Sequence, residues 1–274
     1  DEVLQKGRLS PGGIFAVNTE SGEILDQHII DDQLKKNKPY REWLKKSAIY
    51  LESTLDAFEG PGIKKMPHAE FINSSKLFSL FNEERVSVIK PLALDGLEGT
   101  GSMGDDTALA MLSSMPRSIY DYFRQQFAQV TNPPIDSLRE SSVMSLEACF
   151  GPELNIFEET KDHAKRIVST SPVLSHKKLS SLLKNQYFSS KTFDLEYSPK
   201  TNLKDALHAL TKKVISSVRK GEVIIHLNER LPVGSKLSIN ALLAVGCIHQ
   251  ELVRLGLRSD ANLLVSSATA RDTH

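Results

Sequence analysis

Cysteine is scarce in this sequence: 274 residues contain only Cys149 and Cys247. Two thiols cannot build a disulfide framework, a four-thiolate zinc site or an iron–sulfur cluster that needs three or four. Both sit in apolar surroundings, LEACFG and LLAVGCIHQEL, so both read as reduced core thiols from a reducing compartment. Net charge is missing as well. The 34 Lys and Arg balance 34 Asp and Glu, leaving a formal charge of zero. That argues against a nucleic-acid binder working by phosphate neutralisation, and against a polybasic membrane anchor. No apolar run approaches the ~18 residues that span a bilayer. The opening DEVLQKGRLSPGG lacks the basic-then-apolar pattern of a signal peptide. The expected location is the cytoplasm, or an organelle after processing, with neither nucleic acid nor membrane as partner. A fixed-period repeat and low-complexity tracts are also missing. What is there suits a folded domain: 40% apolar and 25% charged residues.

The N-terminal stretch predicts a β-hairpin, with a strand over GIFAVNT (Gly13–Thr19), the turn ESG and a strand over EILD. A charged helical pattern starts at Asp31. A second starts after Pro39 and carries Trp43, Leu44, Ser47, Leu51 and Leu55 near one face. EGPGIKKMP (Glu59–Pro67) predicts a linker. Helical pattern resumes over Phe71–Gly96, where Pro91 is expected to kink or end the last helix. Asp95–Thr107 is rich in glycine. A short helix over ALAMLSS and a stronger one over Ser118–Val130 follow, the latter stopped by TNPPID because the residue before a proline avoids the α region. Toward the C-terminus, Leu203, Leu207, Leu210, Val214 and Val218 mark a helix capped at Gly221. EVIIHL reads as a parallel strand buried on both faces, SINALLAVGCIHQELVRLG as a helix closing on Gly256, and NLLVSS as a second parallel strand. The fold class is therefore α/β, with helices around a small, mainly parallel sheet and an N-terminal β-hairpin.

Complete catalytic sets are harder to find. Gly99-Thr100-Gly101-Ser102-Met103-Gly104 spells G-x-G-x-x-G. A dinucleotide fingerprint should follow a buried strand and open a helix that receives a pyrophosphate. PLALDGLE is a poor strand, and Asp105 and Asp106 place two negative charges where two more would bind. The plainer reading is a tight loop whose aspartates cap a helix. Ser102 lacks the preceding glycine of a nucleophile elbow, since position 100 is Thr100. The eight histidines have no zincin spacing. His226, in the strand, and His249, in the helix, read as hydrogen-bonded core or boundary residues. Asp136, Glu140 and Glu147 read as solvated or capping acids.

Four stretches taken together resemble a known family: KGRLSPGGIFAVNTESGEIL (Lys6–Leu25), GSMGDDTALAMLS (Gly101–Ser113), YDYFRQQFAQVTNPPIDSLRE (Tyr120–Glu140) and LLAVGCIHQELVRLGLRSDANLLV (Leu242–Val265). The family is the central domain of glutamate synthase, of the large-subunit or ferredoxin-dependent type. The second and third stretches are the most specific. The resemblance is weakest over Lys64–Leu80 and Thr160–Ser198. Ala108 stands where the family usually has proline, at a helix start where proline is tolerated rather than required.

The resemblance implies a connector within a larger enzyme. A glutaminase domain with an N-terminal cysteine nucleophile releases ammonia, which passes through an internal tunnel to an FMN-bearing domain. There it meets 2-oxoglutarate, and L-glutamate is formed. The implied architecture resembles a rudimentary flavin-type (β/α) barrel. Residues 1–58 would be the tail of the glutaminase domain with a linker helix, residues 59–274 the central domain, and the chain would end just before the flavin domain. Asp1 is not the nucleophile. The implied cofactors, FMN and an iron–sulfur cluster, would belong to the neighbouring domain and none to this chain, which by itself would be inactive. Implied partners are the glutaminase and FMN-binding domains of the same polypeptide, and a small subunit or ferredoxin through the full enzyme. The location would be cytoplasmic, or a plastid in a plant or alga. The electron donor stays open between NADPH, NADH and ferredoxin.

Two loops carry the functional implication. Ser102, Met103 and Gly104 would lie in the loop that reaches toward the flavin and 2-oxoglutarate, where a thioether offers a soft apolar surface. Thr131 and Asn132 would line the ammonia passage, where a hydroxyl and an amide guide neutral ammonia by hydrogen bonds. Met103 as a plug for its own loop, and Thr131-Asn132 as a helix stop, are the competing readings. A stand-alone α/β enzyme or nucleotide-binding domain using the Gly99–Gly104 loop is the alternative for the whole chain.

Overall fold

The computed structural model describes residues 3, 6–54, 66–96, 108, 110–114, 117–123, 144–229 and 235–271. These residues form two units, Asp1–Ile49 with Leu154–Ile167, and Tyr50–Glu153 with Val168–His274.

In the first unit, β1 (Ala16–Val17) pairs antiparallel with β2 (Ile24–Leu25), as the hairpin pattern predicts. Asn18 closes the turn: its Oδ1 accepts from the amides of Glu20 and Ser21, and Gly22 takes the left-handed conformation at φ +72°. Helix α1 (Gln27–Asn37) begins before Asp31, because the Asp26 carboxylate accepts from the Ile29 amide and caps it. Helix α2 (Tyr40–Ser47) ends well short of Leu55. Ala48 is extended, the Ile49 amide donates to the Arg166 carbonyl at 2.9 Å, and the chain continues as β3 (Ile49–Tyr50). A tertiary hydrogen bond thus overrides a helical apolar spacing. Tyr40 and Lys38 both bind Glu159, through the carboxylate and the main-chain carbonyl respectively.

The second unit opens on a short 3₁₀ turn, Leu51–Thr54. Helix α3 (His68–Leu77) is followed by a turn and a second helical stretch: α4 (Asn82–Glu84), a π-wound segment Arg85–Ile89, and α5 (Lys90–Asp95). Pro91 neither ends nor breaks this stretch. The preceding turn is widened, with the Lys90 amide reaching the Arg85 carbonyl, which accommodates the missing N–H and the bulky ring. Gly96, at φ +65°, ends the helix. The helix expected over Ser118–Val130 is, in its described part, a single 3₁₀ turn over Ile119–Tyr122, and Phe123 is extended. The Ser118 hydroxyl caps that turn.

The centre of this unit is a parallel sheet. Strands β4 (Ala148–Phe150) and β5 (Ile167–Ser169) and helix α6 (His176–Leu183) precede it in the chain. The sheet consists of β6 (Ser190–Asp194), β8 (Ile224–Asn228) and β10 (Asn262–Ser266), with β8 in the middle. Registers run Thr192↔His226 and Leu264↔His226. Strands β7 (Glu196–Tyr197) and β9 (Leu237–Ser238) form a separate antiparallel pair. Helix α7 (Leu203–Arg219) follows β7 and helix α8 (Ala241–Arg254) follows β9, each starting at an asparagine whose side chain accepts a first-turn amide. Val214, Val218, Ile225, Leu227, Ala244, Ile248 and Leu252 form the core between these helices and the sheet. Gly221 and Gly256 follow α7 and α8 at positive φ, as helix stops should. The fold is α/β with a small parallel sheet, and that sheet is open.

Cys149 is not a core thiol: it is exposed, because β4 alternates and turns Phe150 inward instead. Cys247 is half-buried, with its Sγ 3.3 Å from the Thr211 hydroxyl.

Candidate functional site

In open parallel sheets, ligand chemistry gathers at the carboxyl ends of the strands. Here those ends carry Asp194, Asn228 with Glu229, and Ser266 with Ser267. The Asn228 amide donates to Asp194 at 2.8 Å, tying β8 to β6. One turn of pleat earlier, His226 sits between two hydroxyls, Thr192 on its Nδ1 side at 3.1 Å and Ser266 on its Nε2 side at 2.8 Å. Burial holds this imidazole below its ordinary pKa, partly opposed by the Asp194 charge. Both ring nitrogens are engaged, so His226 is a satisfied core histidine. His249 is likewise engaged, with its Nδ1 3.1 Å from the Arg258 guanidinium.

Glu229 is the most enclosed acid at this edge, 5% exposed. Its Oε1 accepts from the Ala241 amide, the first residue of α8, at 3.0 Å. Its Oε2 accepts from the Ser267 and Thr269 hydroxyls at 2.6 and 2.9 Å, and from the Ala268 and Thr269 amides at 3.1 and 3.3 Å. A buried carboxylate with this many donors and a helix N-terminus beside it has its charge well compensated. Its role is structural: it ties the end of β8 to the start of α8 and to residues 267–269.

A second acid, Glu52, accepts from Lys178 Nζ at 2.6 Å and from the Thr170 amide and hydroxyl. The Lys178 ammonium above all holds its carboxyl down to about 2. Among the described residues no cluster of His, Cys, Asp or Glu could hold a metal ion. Among the same residues no helix is long and apolar enough to cross a membrane.

The residues singled out from sequence, Ser102, Met103, Gly104, Thr131 and Asn132, lie outside the described residues, as does the whole Gly99–Gly104 loop. Sequence reasoning missed Glu229 and Arg271. The available signal was position: an acid directly after the buried run EVIIHLN falls at the carboxyl edge of a parallel strand.

The architecture defines an α/β domain whose polar carboxyl edge is locked by internal hydrogen bonds. Comparison with known proteins is specific. The family model for the glutamate synthase central domain matches residues 73–274, and that for class-II glutamine amidotransferases matches residues 1–43. Ferredoxin-dependent glutamate synthase 1 of Arabidopsis thaliana is 36% identical over 100% of this chain and 17% of the relative. Ferredoxin-dependent glutamate synthase 2 of Synechocystis is 37% identical over 100% of this chain and 18% of the relative. The NADH glutamate synthase of Saccharomyces cerevisiae is 34% identical over 99% of this chain and 13% of the relative. The chain belongs to the glutamate synthase central domain family, and it spans less than a fifth of the length of these relatives.

Proposed function

We propose that this chain is the connector of a glutamate synthase, joining a glutaminase domain to an FMN-bearing domain and forming part of the wall through which ammonia passes between them. The observation that carries the reading is the order of two matches in one chain: an amidotransferase over residues 1–43 and the central domain over 73–274, in a sequence that aligns end to end with much longer glutamate synthases. In this reading residues 1–58 are the amidotransferase tail with its linker helix, and residues 59–274 the central domain. The open parallel sheet with α7 and α8 then corresponds to a fragment of a (β/α) barrel.

The complete enzyme converts glutamine and 2-oxoglutarate to glutamate, as an oxidoreductase of nitrogen assimilation. FMN and an iron–sulfur cluster belong to the neighbouring domain. The two cysteines of this chain do not fit a cluster, being fewer than the three or four thiolates required. Ferredoxin or a small subunit engages the full enzyme rather than this domain. The location is the cytoplasm, or a plastid; the name of the Arabidopsis relative gives chloroplastic/mitochondrial for that protein.

Within this chain, Ser102, Met103 and Gly104 face the flavin and 2-oxoglutarate, and Thr131 and Asn132 line the passage. The test is Thr131→Phe in the complete enzyme. A phenyl ring narrows the passage without removing a catalytic group. Glutamine hydrolysis should persist while coupled glutamate formation falls, so that glutamine is consumed in excess of glutamate and free ammonia accumulates. One-to-one coupling in a folded variant would leave Thr131 a helix stop.

A further inference from the structure

Residues 267–271 cross the second unit from the sheet edge to the turn after α3. At one end, Ser267, Ala268 and Thr269 direct two hydroxyls and two amides at the buried Glu229 carboxylate. At the other end, Arg271 is 10% exposed and donates from each of its three guanidinium nitrogens. Its guanidinium pairs with Glu84 at 2.6 Å and donates to the Phe78 carbonyl at 2.6 Å. Ala268 joins the two ends, because its amide donates to Glu229 while its carbonyl accepts from Arg271 Nε at 3.2 Å.

The far anchor is not an arbitrary point. Phe78 leads directly into Ser79, whose φ of 51° is the one positive value at a non-glycine residue among those described. A side chain in the left-handed region is strained and persists only where its surroundings hold it. The Arg271 bond to the Phe78 carbonyl and its pair with Glu84 grip the two sides of that turn.

We infer that residues 267–271 are a positioning strap. Glu229 sets the strap, the strap sets Arg271, and Arg271 holds the α3–α4 turn in its strained form. Glu229 and Arg271 do not contact one another, yet they act on the turn as one unit. The coupling is a property of this chain and goes beyond any role in ammonia transfer.

The test is amide hydrogen exchange on the chain with Glu229→Gln, Arg271→Met and the double variant. The amides read are Phe78, Ser79 and Leu80, which bond to Ser74, Lys76 and Ser75 carbonyls in the native turn. A glutamine Nε2 at this site meets donors where an acceptor is required, so the strap is released. Each single variant should speed exchange at these amides by about tenfold, the size expected for one net hydrogen bond to a charged group. The double variant should add little to Arg271→Met alone, because both changes cut the same route. Protection at Ile225 and Leu227 in β8 should persist, which separates release of the strap from unfolding. If Glu229→Gln does not fold, Ser267→Ala with Thr269→Val removes two donors at the strap itself and should give the same signature. Unchanged exchange at Phe78–Leu80 in a folded Glu229 or strap variant overturns the coupling, and so does additivity in the double variant.

Discussion

Truncating Leu210 to alanine tests the packing on which the parallel sheet depends. Leu210 is 8% exposed and belongs to the cluster that includes Val214, Ile225, Leu227 and Ile248. The change removes three carbon atoms from a closed interface between α7 and the sheet, and the cost is lost transfer free energy plus that of any cavity left behind. Leu→Ala at buried sites costs about 2–5 kcal/mol. The residual exposure of Leu210, and alanine's slightly better helix propensity, place the expectation at about 3 kcal/mol. For a domain of this size that corresponds to roughly 6–12 °C in Tm. Two companions calibrate the face. Leu207→Ala, at a partly buried position, should cost roughly half as much. Lys213→Ala, at an exposed position on the same helix, should stay within about 0.5 kcal/mol. The assay is urea denaturation followed by far-UV circular dichroism, with the slope m compared between variants so that a shift in midpoint reports stability. A Leu210→Ala loss no larger than that of Lys213→Ala would falsify the assignment of this face to the core.

Three further outcomes follow from the geometry. Glu52 is held at about 2 in the folded protein, below its unfolded value, so its contribution is present above about pH 4.5 and is lost as pH falls toward 2. Glu52→Gln should flatten that limb of the stability profile, and an unchanged acid limb would discount the Lys178 pair. Asn240→Ala removes the side chain that accepts from the Leu242 amide at the start of α8 and should cost about 1 kcal/mol, read as a lower urea midpoint. Cys149, exposed on β4, should react with a maleimide in the native protein well before half-buried Cys247, and equal rates measured by mass spectrometry would contradict the burial pattern.

The parallel core was legible because its signals are local and mutually consistent. Ile224, Ile225 and Leu227 place apolar side chains on both faces of the strand because β8 is central and covered on both faces. Leu210, Val214 and Val218 keep helical spacing because α7 buries one face. Gly221 and Gly256 mark helix ends because the left-handed turn favours a residue without Cβ. The third strand, β6, was not legible. Four of the five residues in its sequence SKTFD are polar because an edge strand faces water along one side and along much of its surface. The pattern of the second unit's motifs also carried the family, since GSMGDDTALA and FAQVTNPPID are specific strings rather than periodicities.

What sequence alone determined, then, is whatever a residue and its near neighbours decide: apolar period, cap chemistry, the stop at a glycine and the scarcity of thiols. What only the tertiary structure decided are the outcomes set by partners distant in the chain. The Arg166 carbonyl draws Ile49 out of a helix that its apolar spacing favours. Alternation in β4 turns Cys149 outward although its neighbours are apolar. Glu229 and Arg271 acquire their roles largely from donors and acceptors far along the chain, up to 193 residues away, because a buried charge is stable only where folding brings its partners to it.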